Sequence, residues 1–158
     1  RHWPWLIGSL LMLLVFAAQA IYFYRVEIAA QLPGLKPALT GYCSLLNCTI
    51  PLPKKAELMG IESSDLEADP VQANVITLSA LLHNRAPHTQ AYPSLELSLT
   101  DVQDKVVARR TFAPSEYLKK EVEEKIGLTA NREINIKLFL DTADVRPSGY
   151  KLFLFYPQ

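Results

Sequence analysis

The side chains able to do chemistry are few and scattered. Three histidines, His2, His83 and His88, fall at spacings that match no H-E-x-x-H ligand pattern. His2 stands far along the chain from the others, and His83 and His88 flank the turn Asn84-Arg85-Ala86-Pro87. They read as ordinary loop residues. Acids cluster at Glu123-Glu124 and around Asp65, Glu67 and Asp69. The first pair reads as a solvated face. The second group would hold calcium only if oxygen ligands converged on it from several segments, and it reads more simply as a strand end. No G-x-S-x-G elbow, P-loop or G-x-G-x-x-G is present. We therefore expect no catalytic residues, no metal site and no cofactor, and a protein that is not an enzyme.

Cys43 and Cys48 are the two cysteines, five positions apart. In an unbroken helix their Cα atoms would lie about 8 Å apart, too far for a disulfide. A left-handed stop at Asn47 would fold the chain back and bring them within range. A bond here implies an oxidising compartment, and hence a C-terminal portion outside the cytoplasm. The alternative is a pair of free thiols in a reducing cytosol. A zinc site needs more ligands than this pair, and four intervening residues do not make a redox-active C-x-x-C. Asn47-Cys48-Thr49 also matches the glycosylation triplet, but it overlaps the disulfide.

These residues must be positioned by three elements. The first is an anchor, residues 1–25. From Trp3 to Tyr24 no side chain carries a formal charge, and about 20 apolar residues at 1.5 Å each cross a ~30 Å hydrocarbon core. Trp3 and Trp5 at one end, and Tyr22, Phe23 and Tyr24 at the other, suit the headgroup level. Pro4 is tolerated in a first helical turn. Ala18-Gln19-Ala20 imitates a signal-peptidase site, but the apolar run continues beyond it, which favours a retained anchor. Gly8, Ser9, Ala17, Ala18 and Ala20 offer small faces against which another membrane helix could pack. Flanking charges do not set the orientation: Arg1 and His2 precede the span, Arg25 and Lys36 follow it. Arg1 opens the chain in place of Met, so a further segment upstream is expected.

Residues 26–55 read as a helical neck and linker. Arg25 to Leu32 can extend the first helix, Pro33-Gly34 ends or kinks it, and Pro37 to Leu46 spaces Leu39, Tyr42, Leu45 and Leu46 as on one helix face. Pro51-Leu52-Pro53-Lys54-Lys55 reads as a stiff linker.

From residue 56 to 158 the period changes to two. Strands are expected at Leu58–Leu66, Asn74–His83, Pro93–Thr100, Lys105–Phe112, Arg132–Leu140 and Tyr150–Tyr156. The clearest alternates Leu95, Leu97 and Leu99 with Ser94, Glu96, Ser98 and Thr100. Pro114 to Ile126 breaks the pattern and reads as one helix, capped by Ser115, burying Tyr117, Leu118, Val122 and Ile126, and stopped by Gly127. Such a helix would cover a sheet edge. The fold class expected is mainly β: an immunoglobulin-like antiparallel sandwich preceded by one transmembrane helix and a disulfide-bearing helical neck. The loop from Arg85 through His88 to Tyr92 combines a cation, aromatics and prolines suited to peptide contacts, although it also reads as a plain sandwich-end loop.

Several tracts, in order, resemble a family of uncharacterised proteobacterial membrane proteins, domain-of-unknown-function family 3426. They are the aromatic-rich anchor, Cys43…Asn47-Cys48-Thr49-Ile50-Pro51-Leu52-Pro53, Ile61-Glu62-Ser63-Ser64-Asp65-Leu66 and Leu82-His83-Asn84-Arg85-Ala86-Pro87. Tyr92-Pro93-Ser94-Leu95-Glu96-Leu97 and the ending Gly149-Tyr150…Phe155-Tyr156-Pro157 continue the match. The resemblance implies a cytoplasmic zinc ribbon upstream of Arg1, then the anchor and a periplasmic sandwich. The chain departs from the family pattern at Lys119–Lys125 and at Asn47, where glycine is commoner. The ribbon's cysteines lie outside this sequence.

Lys+Arg and Asp+Glu both number 16, so nothing steers this part of the chain to nucleic acid. The expected partners are the lipid bilayer and a membrane protein complex, in a bacterial inner membrane with the N-terminus cytoplasmic. A non-catalytic accessory or assembly role follows. A transmembrane sensor coupled to the ribbon is the alternative, and an envelope enzyme is the remaining one.

Overall fold

A computed structural model describes residues 1–142 and 145–158. The chain forms two compact units, Arg1–Pro53 and Lys54–Gln158.

The first unit is helical. Helix α1, Trp3–Phe23, runs 21 residues with Pro4 in its first turn. None of its residues is buried, and it is long and apolar enough to cross a membrane. Tyr24 interrupts it briefly before α2, Arg25–Gln31. Pro33–Leu35 then forms a tight 3-10 turn, since proline removes a helical donor and restricts the residue before it. Helix α3 follows at Lys36–Leu45. It buries Leu39 and Cys43. The expected apolar face is thus only partly used: Tyr42 is half-buried, while Leu45 is 84% and Leu46 52% exposed.

The second unit is two antiparallel three-stranded sheets, in the orders β1-β2-β5 and β4-β3-β6. The strands are β1 Met59–Ala68, β2 Val75–Asn84, β3 Ser94–Thr100, β4 Val106–Phe112, β5 Glu133–Asp141 and β6 Gly149–Phe155. This arrangement corresponds to strands A-B-E and C′-C-F of the immunoglobulin plan. Inward residues alternate with outward ones, as the period-two reading requires. Ile76, Leu78, Ala80 and Leu82 of β2 meet Leu95, Leu97 and Leu99 of β3 in one core with Ile136, Leu138 and Phe112.

Strand β1 obscured its own alternation for a physical reason. Its register against β2 shifts between Ile61 and Ser63, so Glu62 is an extra residue, a β-bulge. Before the bulge Met59 and Ile61 pair with the inward Asn84 and Leu82, and after it Leu66 pairs with Leu78. The inward parity switches from odd to even at Glu62.

The helix expected over Pro114–Ile126 does not form. A single turn, α4, covers Pro114–Tyr117, and a 3-10 turn covers Glu124–Ile126. The cap differs too: Glu116 accepts the Ala113 backbone N–H at 2.6 Å, and Ser115 lies inside the turn. Leu118 is extended, so Tyr117 reaches the core, Leu118 and Val122 pack partly against it, and Ile126 stays 61% exposed. No continuous helical cover for a sheet edge results. Gly127 ends the segment at φ 78°, a conformation glycine adopts without a Cβ penalty.

Candidate functional site

The loop joining β2 to β3 is pinned from inside by two polar side chains. Asn84 and Gln90 are both fully buried. The Asn84 amide NH2 donates to the carbonyls of His88 and Leu128 at 2.9 Å and of Thr129 at 3.2 Å. Its Oδ1 accepts the Ala86 N–H at 3.0 Å and Gln90 Nε2 at 2.8 Å. Gln90 Oε1 in turn accepts the Lys55 N–H at 2.7 Å. Gln90 and Leu128 also exchange a reciprocal pair of backbone bonds at 3.0 and 2.8 Å. A buried polar group is costly unless paired, and among the described residues no buried side-chain nitrogen or oxygen lacks a partner. The network ties the domain's first residues, the β2–β3 loop and the β4–β5 connection at one end of the sandwich.

Two tyrosines complete the fastening. Tyr117 Oη donates to the Pro93 carbonyl at 2.5 Å and Tyr156 Oη to the Ala91 carbonyl at 2.7 Å. Burial pushes both phenols well above the ordinary tyrosine value.

On the outside of this loop lies a charged cluster. Arg85 donates to Glu62 Oε1 through Nη2 at 2.6 Å and Nε at 3.1 Å. His83 Nδ1 sits 3.1 Å from the same oxygen and 3.9 Å from Glu133. The Arg85 hydrogen bond, then that of His83, holds the Glu62 carboxyl below the usual range. The bulge is what aims Glu62 at Arg85.

The three loop residues expected to make contacts thus have different places. Arg85 is exposed but engaged with Glu62. His88 is half-exposed, its Nδ1 3.4 Å from the Thr89 carbonyl. Tyr92 is a core residue, 8% exposed, whose burial raises its pKa. Sequence reasoning missed Asn84, Gln90, Glu62, Tyr117 and Tyr156 as a cooperating set. A polar residue ending an apolar strand, with proline three positions on, was the available signal for Asn84.

A cleft of about 230 Å³ opens between the sheets on the β4/β5 side, lined by Ile76, Leu97, Leu99, Phe112 and Leu140, among others. Arg110 also lines it, its guanidinium 5.0 Å from the Phe112 ring centroid and 3.6 Å from Glu116. The volume is below the roughly 300 Å³ at which small-molecule sites begin, and the lining reads as an incompletely closed sandwich edge. Among the described residues no group of three or more His, Cys, Asp or Glu is placed to hold a metal ion. Asp69 accepts the Val71 and Gln72 N–H groups at 2.8 and 3.1 Å, closing the β1–β2 turn.

In the helical unit Cys43 and Cys48 form a disulfide, with Cα atoms 4.6 Å apart. Asn47 stands at φ 53°, and the Cys48 N–H bonds the Cys43 carbonyl at 2.8 Å. Of the small residues on α1, Gly8 and Ser9 border an open notch beside Trp5 and Met12. Ala17 is exposed, while Ala18 and Ala20 are half-buried, and the Ala18 carbonyl accepts Tyr42 Oη at 2.9 Å. Trp3 and Trp5 are 74% and 80% exposed, and Tyr22 and Tyr24 are 44% and 56% exposed. The Arg25 guanidinium lies 4.7 Å from the Tyr22 ring and donates to the carbonyls of Tyr22 and Thr49, each at 2.9 Å.

No curated protein and no solved structure matches the chain. Residues 56–154, which take in β1 to β5 and all of β6 but its last residue, match the family described as "Protein of unknown function (DUF3426)". With a six-stranded sandwich over the matched region and more than half of its length within that match, the chain belongs to the DUF3426 family.

Proposed function

We propose that the chain is a non-catalytic, membrane-anchored accessory or assembly protein of the bacterial inner membrane. Its N-terminus is cytoplasmic and its sandwich periplasmic. The observation that carries this reading is α1: a 21-residue apolar helix with no residue buried by the rest of the chain. Such a surface needs lipid or another membrane helix around it. The open notch at Gly8 and Ser9 supports a helix partner, because small residues let backbones approach closely. The disulfide supports an oxidising location for the neck. The sandwich contributes contact surface at the end bearing His88 and the Arg85–Glu62 pair.

Purification of the full-length protein from native membranes in mild detergent, read by mass spectrometry, tests the role. A stoichiometric membrane protein, lost on Gly8→Leu while the chain still fractionates with membranes, is the expected result. Recovery of the chain alone overturns an assembly role. An alkaline phosphatase fused after Gln158 is expected to be active, and an inactive fusion overturns the orientation.

A further inference from the structure

We propose that the disulfide-closed turn at the end of α3 is a wedge seated in the lipid bilayer at the outer end of α1. This inference rests on α1 being the membrane span. Ala18 lies five residues before the end of α1, about 7.5 Å back along its axis at 1.5 Å per residue. Tyr42 Oη reaches the Ala18 carbonyl at 2.9 Å, so the Tyr42 side chain of α3 extends beside α1 to that depth. Past the turn the chain climbs again, since Thr49 accepts from Arg25, just beyond the end of α1. Residues 43–48 are therefore the far end of the excursion, turned between the level of the Ala18 carbonyl and that of Arg25. The 21 residues of α1 span roughly the ~30 Å of a hydrocarbon core, which puts the turn within its upper margin.

The composition and hydrogen bonding suit that place. Between Lys36 and Lys54 no residue carries a charge. Leu45 and Leu46, at the tip, are 84% and 52% exposed, which costs little only if acyl chains cover them. In lipid every polar group must be satisfied internally, and here the Tyr42 hydroxyl is taken up by α1 while two other hydroxyls of α3 turn back on their own helix. Thr40 Oγ1 donates to the Lys36 carbonyl at 2.8 Å and Ser44 Oγ to the Gly41 carbonyl at 2.7 Å. The turn's N–H groups do the same: Leu46 and Cys48 both donate to the Cys43 carbonyl, at 3.1 and 2.8 Å. Arg25 and Lys36 stand at the points where the excursion leaves and re-enters the headgroup level, and their stems allow the charges to reach phosphate. The occupant of the exposed leucines is the acyl–headgroup boundary of a bilayer.

The test places single tryptophans in full-length protein reconstituted into phosphatidylcholine–phosphatidylglycerol vesicles, in a Trp3→Phe, Trp5→Phe background. Leu45→Trp is expected to lose most of its emission to lipids brominated near the headgroup end of the acyl chain and to resist aqueous iodide. Met12→Trp, midway along α1, reports the span itself through quenching by lipids brominated deep in the chain. Quenching of Met12→Trp with iodide-sensitive Leu45→Trp overturns the wedge and leaves the span standing. Failure of lipid quenching at both sites overturns the span and the wedge together. Leu46→Trp repeats the measurement beside a native Leu45, so a local distortion caused by one substitution cannot decide the outcome.

Discussion

Asn84 meets five backbone or side-chain partners with one amide. Removing it strands donors and acceptors in a place water does not reach, each at about 1–3 kcal/mol. Asn84→Ala is expected to lower the sandwich's unfolding free energy by on the order of 3 kcal/mol, measured by urea titration. Asn84→Asp should also fail, because a carboxylate cannot donate to the carbonyls of His88 and Leu128. Tyr117 and Tyr156 make a different expectation, in pH. Both folded pKa values are raised by burial. Their contribution is therefore fully present below the unfolded value, about 10, and drains away as pH climbs past it toward the folded values. The thermal midpoint should fall above about pH 10, and Tyr117→Phe should flatten that fall while costing about 1–2 kcal/mol at neutral pH through the unpaired Pro93 carbonyl. Glu62 works on the acid side: its lowered pKa gives stability that is present above the unfolded carboxylate value and is lost as pH falls through the folded one.

At the scale of elements, the strands were legible wherever apolar and polar side chains alternate, whether the polar face is wet, as in β5, or itself covered, as at Ser94, Ser98 and Thr100 of β3. Leu95, Leu97 and Leu99 announce β3, and Ile134, Ile136 and Leu138 announce β5, because a sheet with period two has no other way to bury them. Strand β1 was only half legible, since a bulge changes which parity points inward and a linear scan assumes one parity throughout. The segment after β4 was misread for a related reason. Tyr117, Leu118 and Val122 are spaced as on a helix, yet the chain satisfies them by a single helical turn, an extended Leu118 and a separate turn from Lys119 to Val122. Long-range contacts from Tyr117 to Pro93 and from Leu128 to Gln90 decide its path, and no local pattern encodes them. The buried Asn84–Gln90 network was invisible for the same cause: its partners are up to 45 positions apart. Gly127 supplies a sharper check. Its φ of 78° with ψ −179° lies where a Cβ is strained, so Gly127→Ala should destabilise the sandwich by about 1–3 kcal/mol in the same titration.

For the whole molecule, the division at Pro53 and Lys54 separates two kinds of stability. The sandwich closes its own core without a cysteine, whereas the neck carries one staple across the turn that follows α3. Reduction with dithiothreitol, or Cys43→Ser with Cys48→Ser, should leave the sandwich's thermal midpoint unchanged in detergent-solubilised protein. The same treatment should make the neck cleavable by protease between Lys36 and Lys54. A shift of the sandwich midpoint on reduction would show that the two units are energetically coupled.

The Asn84–Gln90 network also sets a clock. A surface loop ordinarily opens many times for each unfolding of the domain, and its amides trade hydrogen with water on that faster schedule. Here the Ala86 N–H is held by Asn84 Oδ1 and those of Gln90 and Leu128 by each other's carbonyls, over two side chains that are wholly inside. Freeing any of them means uncovering Asn84 and Gln90, which are seated beneath the loop and against the chain's entry at Lys55. The tip of this sandwich should therefore exchange as slowly as the amides of β2 and β3, and whatever meets it meets a surface already fixed in its final shape.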